Sequence, residues 1–150
     1  MNEAIFVFKA ERDLLTTKME SSTPLPRRET LDQNVPSIDW KVLQRLHGHL
    51  GQEIYPLIQK FLDRLPERVE FIVFAINEED AQQLKIAAHT LKGTAAMLGA
   101  NYLAELCQQL ESSSEKQIHK EILSLLVGAV EKEMEVVFSE FRRVIAEQDF

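Results

Sequence analysis

Apolar residues recur along this chain with the 3.6-residue period of amphipathic helices, and the breaks in that period mark the elements. Trp40, Leu43 and Leu46 fall on one face of a short helix, which Ser37 or Asp39 can cap and Gly51 can end. Residues 52–76 carry a longer stripe: Tyr55, Ile58, Phe61, Leu62, Leu65, Val69, Ile72, Val73 and Ile76. Pro56 suits the first turn of that helix, whereas Pro66 lies in its interior and is expected to kink it by removing a hydrogen bond. The polar stretch 77–80 is a break. Asp80 followed by Gln83 has the spacing of a capping box at the start of the next helix.

Over residues 80–99, Leu84, Ala88, Leu91, Ala95 and Leu98 repeat at alternating four- and three-residue intervals, the spacing of a bundle seam, with Ala87 and Thr94 flanking it. Gly99 stands where a C′ glycine would end the helix. From Asn101 to about Ser112 the inner face is Leu103, Leu106 and Leu110, and the run Ser112-Ser113-Ser114 reads as a loop. Residues 115–147 hold the longest pattern: Ile118, Ile122, Leu125, Ala129, Val136, Val137, Phe141 and Val144, with Gly128 a point of bending or close packing. Four long amphipathic segments with short connections predict an all-α, antiparallel up-down-up-down four-helix bundle, with a short additional helix and an N-terminal extension.

That extension divides in two. Residues 1–20 mix Ile5, Phe6, Val7 and Phe8 with Leu14, Leu15 and Met19, which favours an amphipathic helix over a short strand. Residues 21–36, rich in Ser, Thr and Pro, read as a linker, and the bundle is expected over 37–150. The initial Met and the complete final helical pattern favour a stand-alone protein.

Composition narrows the function. A net charge of −7 without a basic stripe argues against nucleic acid as the main partner. A lone cysteine, Cys107, excludes an intrachain disulfide and suits a reducing compartment; on its helix it reads as a small packed residue. The N-terminus lacks the basic region and apolar run of a secretory signal, and no stretch approaches the ~20 apolar residues of a membrane span, so a cytoplasmic location is expected.

The chemistry gathers on the face opposite the seam of residues 80–99, where Gln82, Lys85, His89, Lys92, Gly93 and Ala96 lie. His89 points away from the core, with Lys85 one turn before it and Lys92 one turn after. Gly93, four residues on, is costly in a helix interior, by about 1 kcal/mol relative to Ala, and adds nothing to a core from the solvent side. It leaves bare backbone beside an imidazole, with cations at hand for an anion on the ring: the pattern of a histidine that carries phosphoryl. In an antiparallel hairpin about Gly99, Glu111 comes to the level of His89.

The run His89-Thr90-Leu91-Lys92-Gly93-Thr94-Ala95-Ala96-Met97-Leu98-Gly99-Ala100, followed by Leu103 to Glu111, resembles the signature and next helix of histidine-containing phosphotransfer (HPt) domains. The likeness extends over about residues 37–150. It implies that His89 takes phosphoryl from the aspartyl phosphate of a receiver domain and passes it to another receiver. It also implies that Glu111, with Gln108 as a second candidate, orients the imidazole. Lys92, assisted by Lys85, would neutralise phosphoryl oxygens, and Gly93 and Ala96 would leave room for the receiver. The imidazole of histidine titrates near neutrality, so a nucleophilic nitrogen is available. A carboxylate accepting from Nδ1 would leave Nε2 to attack. With neither a Gly-rich nucleotide loop nor a clustered carboxylate pair for Mg²⁺ in the sequence, no cofactor is expected here. Mg²⁺ would then belong to the receiver, and the chain would be a carrier without kinase activity.

Two other classes compete with this reading. A metal-binding bundle needs Glu-x-x-His on each of two helices, and the sequence contains none. His47 and His49, two residues apart, diverge by about 200° on a helix, and Glu115 with His119 reads as a surface contact. The rival is a helical adaptor, using the same bundle and the N-terminal segment for interaction while His89 stays silent.

Overall fold

The computed structural model describes residues 35–115 and 119–150; the segment 1–20, most of the linker expected over 21–36, and Ile118 lie outside the described residues. Among the described residues, five helices follow in order: α1 (Trp40–Leu50), α2 (Ile54–Asn77), α3 (Ala81–Met97), α4 (Asn101–Glu115) and α5 (Lys120–Glu147), with a 3₁₀ turn at Gly51–Glu53 joining the first two. Helices α2 to α5 form the four-membered bundle: α3 lies between α2 and α4, and α5 closes the square against α2 and α4. Helix α1 packs across one end.

Local chemistry explains each boundary. Asp39 caps α1, its carboxylate accepting from Lys41 N at 3.1 Å. Asp80 caps α3 by accepting from Gln83 N at 3.0 Å. The capping box is only half realised, because the Asp80 N–H is already bonded to Ala75 O at 2.9 Å. At the other end of α3, Gly99 takes φ 79. Gly99 N donates to Ala96 O and Ala100 N to Ala95 O, the paired bonds of a Schellman close. This turn is also the seat of α1, since Asp39 N donates to Gly99 O at 2.7 Å. A Cβ at position 99 would stand 2.8 Å from Asp39 O, so the docking of α1 requires glycine there twice over.

The core is the expected one, with corrections at three places. The stripe of α2 is buried from Ile54 to Ile76, and the helix runs as one element through Pro66 for 24 residues. Ser112, Ser113 and Ser114 are not a loop but the last turns of α4, with Ser113 and Ser114 buried. Serine favours loops by competing for backbone groups, but here Ser114 Oγ donates a hydrogen bond to Glu111 O within the same helix, at 2.6 Å. In α5 the buried face runs through Leu123, Leu126, Val127, Val130, Val137, Phe141 and Val144, whereas Ile122 and Val136 are exposed. Glu115 closes α4 and does not begin α5, so Glu115 and His119 share no helix.

On α3 the seam Leu84, Ala88, Leu91, Ala95 and Leu98 is buried as its spacing requires. Burying a leucine is worth about 1.5–3 kcal/mol. Three of them on one line therefore fix the rotation of α3, and with it the direction of every residue on the opposite face. Among the described residues, no helix is long and apolar enough to cross a membrane.

Candidate functional site

The seam that anchors α3 turns His89 to solvent, its side chain 66% exposed. Helices α3 and α4 run antiparallel about the Gly99 turn in a register that sets Lys85 opposite Glu115, His89 opposite Glu111 and Lys92 opposite Gln108. Each step along one helix is matched by an equal step back along the other, so three polar pairs lie in successive layers on the outer face of the hairpin.

The central layer joins ring to carboxylate. His89 Nδ1 stands 3.0 Å from Glu111 Oε1, and with the proton on Nδ1 the ring donates to the carboxylate. Nε2 is then the nitrogen that carries the lone pair. The other oxygen of the same carboxylate, Glu111 Oε2, accepts from Lys92 Nζ at 2.8 Å. Lys92 Nζ donates a second bond to Gln108 Oε1 at 2.9 Å, and Gln108 Nε2 donates to Ser112 Oγ at 3.0 Å. The result is a chain of hydrogen bonds from Ser112 through Gln108, Lys92 and Glu111 to the imidazole. The Glu111 side chain is only 14% exposed. Its carboxyl is nevertheless held below the usual carboxylate range, chiefly because Lys92 donates to it, with the His89 bond adding and partial burial opposing.

The outer layer is separate. Lys85 Nζ pairs with Glu115 Oε1 at 2.7 Å, and that carboxylate raises the lysine above its ordinary value. Of the residues singled out in the sequence, His89, Lys92, Glu111 and Gln108 thus form one network. Gln108 corrects its expected place: it meets Lys92 and not the imidazole, because it sits one turn back on α4, level with the lysine. Lys85 is at the edge of the network, its ammonium held by Glu115.

Gly93 lies open to solvent, and a Cβ added there would meet nothing within 4 Å. The bare backbone beside His89 is therefore not required by packing. Ala96 is exposed on the same face. Cys107 is fully buried behind this surface, and burial pushes its thiol up to about 12, so it is inert as a nucleophile.

A further feature went unread in the sequence. Phe71 and Phe74 on α2 are 60% and 62% exposed, and with Ile86, Ala87 and Thr90 of α3 they line the apolar part of a groove of about 510 Å³ whose wall also carries Arg68, Glu78, Asp80 and Gln83. The groove runs up to the residue next to His89. Its signal was available: in the α2 run Val69-Glu70-Phe71-Ile72-Val73-Phe74 the buried period takes up only Val69, Ile72 and Val73, leaving two phenylalanines unemployed by the core. Exposed apolar area of this kind marks an interaction surface. Among the described residues, no group of three or more His, Cys, Asp or Glu converges as a metal site.

Comparison with known proteins bears on the whole arrangement. The family model described as Hpt domain matches residues 56–140. Among solved structures, the chain is similar to histidine-containing phosphotransfer protein B (HptB) from Pseudomonas aeruginosa PAO1, with 28% identity and a TM-score of 0.70 over 76% of this chain and 98% of that one. It is also similar to the HPT domain of the Hpt sensor hybrid histidine kinase from Shewanella, with 25% identity and a TM-score of 0.63 over 74% of this chain and 95% of that one. Among curated proteins, no sequence matches it.

Proposed function

This chain belongs to the Hpt domain family and is a phosphohistidine carrier of a phosphorelay, and from that premise we propose that His89 is the residue that carries the phosphoryl group. One observation supports the assignment above the rest: an exposed imidazole has its Nδ1 engaged by Glu111, leaving Nε2 as the nucleophile, beside bare backbone at Gly93.

The donor is the aspartyl phosphate of a receiver domain. The Nε2 lone pair forms a P–N bond as the P–O bond to the aspartyl group breaks, and the aspartate departs as a carboxylate. With the proton retained on Nδ1, the ring becomes cationic, and Glu111 opposite offsets that charge. The tautomer needed for attack and the charge that attack creates are thus served by one carboxylate. Lys92 holds Glu111 in place and presents an ammonium to the phosphoryl oxygens. Gly93 and Ala96 leave room for the receiver, whose contact we extend to the groove at Phe71, Phe74 and Ile86. Phosphoryl transfer depends mostly on positioning and charge. The remaining apparatus, Mg²⁺ included, is assigned to the receiver, and this chain acts as a carrier without kinase activity, in the cytoplasm.

The test is transfer from a panel of ³²P-labelled receiver domains to the wild type and to His89→Gln. Acid-labile, base-stable label on the wild type alone is the expected result. Label that survives His89→Gln places the acceptor elsewhere, and a folded wild type that accepts from no donor favours an adaptor.

A further inference from the structure

The two lysines flanking His89 are held very differently. Lys92 is 27% exposed and bonded to two partners, Gln108 and Glu111, of which Glu111 also holds the imidazole. Moving it breaks the network that sets the tautomer. Lys85 is 47% exposed and, among the described residues, its ion pair is with Glu115, itself 56% exposed. Solvated pairs of this kind contribute little, so they exchange partners readily. Positions i and i−4 on a helix are neighbours, which sets Lys85 alongside the ring of His89.

Transfer of a phosphoryl group brings close to two negative charges to a face where, among the described residues, the two lysines flanking His89 each already have a carboxylate partner. The charge-balanced resting network therefore has to yield one cation, and the weakly held one is Lys85. We propose that Lys85 is an exchangeable counter-ion that moves from Glu115 to the phosphoryl group on His89, and that Glu115, by competing for it, sets how far the transfer equilibrium lies toward the phosphorylated carrier. Lys85 touches the phosphoryl oxygens in that state; Glu115 acts through Lys85 and is a positioning residue. No bond is made or broken in the exchange beyond the ion pair itself. The purpose served is reversibility: a phosphohistidine gripped by a free cation would be slow to give its group up, whereas one whose cation is contested can pass it on. This inference rests on His89 as the carrier.

The measurement is the equilibrium ratio of phosphorylated carrier to phosphorylated receiver, with one ³²P-labelled receiver and four full-length chains: wild type, Glu115→Gln, Lys85→Met and the double variant. Glu115→Gln is expected to raise the carrier's share by roughly two- to five-fold, the range of an exposed charge pair. Lys85→Met is expected to lower it by a similar factor. In the Lys85→Met background, Glu115→Gln is expected to have no further effect, since there is no lysine to release. The inference is overturned if Glu115→Gln leaves the ratio at the wild-type value, or if it raises the ratio equally with and without Lys85, which would mean that Glu115 repels the phosphoryl directly. Failure of His89 as the carrier is read separately, as absence of label from the wild type. Circular dichroism of the four proteins reports the fold, which surface substitutions outside the core leave in place.

Discussion

At the scale of single residues, the site turns on Glu111, a carboxylate with two bonds to two different partners. Lys92 and His89 both favour its charged form, and the first is the larger influence. A group whose folded value is depressed stabilises the fold above its unfolded value, near 4.5, and that contribution is lost as pH falls through the lower folded value. Wild type is therefore expected to be more stable than Glu111→Gln at pH 7, and the gap between them to close as acid is added below about pH 4.5, which thermal melts across pH 3–7 would read. Glutamine in this place still accepts from Nδ1 but cannot offset a cationic ring. Transfer at pH 7 is thus expected to slow by up to about ten-fold, since the charge that offsets the cationic ring is lost while the orienting hydrogen bond stays. Equal melting gaps at pH 7 and pH 3 would show that the Lys92–Glu111 pair contributes nothing to the fold.

At the scale of elements, the hairpin of α3 and α4 makes the site, because it alone sets which residue of α4 faces which of α3. Its pivot is Gly99, where a positive φ and the approach of Asp39 O coincide. Gly99→Ala is expected to cost about 2 kcal/mol or more in urea denaturation, from strain at a left-handed backbone position together with displacement of α1. A loss below 0.5 kcal/mol would mean that the α1 contact gives way without consequence. The hairpin was readable in advance for a plain reason: the leucine and alanine seam of α3 has one period, one buried side and a glycine stop. That sufficed to turn His89 outward and to bring Glu111 level with it. Periodicity could not say that Gln108 would meet Lys92 while Lys85 met Glu115, since that choice depends on register across the turn and on which long side chain reaches which. Ser112 to Ser114 were misread because serine's preference for loops is weaker than the pull of a helix that buries two of them. Ile122 and Val136 were misassigned because α5 is apolar on more than one side, and only its neighbours decide which side is inner.

At the scale of the whole molecule, the net charge of −7 bears on how a partner is met. An acidic chain approaching an acidic receiver is repelled at long range unless a basic patch steers it. Among the described residues, Lys85 and Lys92 do not form such a patch, because Glu115 and Glu111 cancel them. What the face offers is the groove of Phe71, Phe74 and Ile86, whose apolar attraction is short-ranged and does not depend on long-range charge. Raising ionic strength from about 0.01 M to 0.15 M shortens the screening length from about 30 Å to about 8 Å. The second-order rate of transfer from a receiver is accordingly expected to rise by a few-fold over that range. A chain carrying Phe71→Ser and Phe74→Ser should keep its fold, both rings being more than half exposed, yet transfer ten-fold or more slowly at every salt concentration, as loss of central aromatic contacts implies. A wild-type rate that falls with salt would mean that cations steer the encounter despite their carboxylate partners. A double variant as fast as wild type would remove the groove from the receiver's path and leave the patch around Gly93 and Ala96 as the whole of the landing surface.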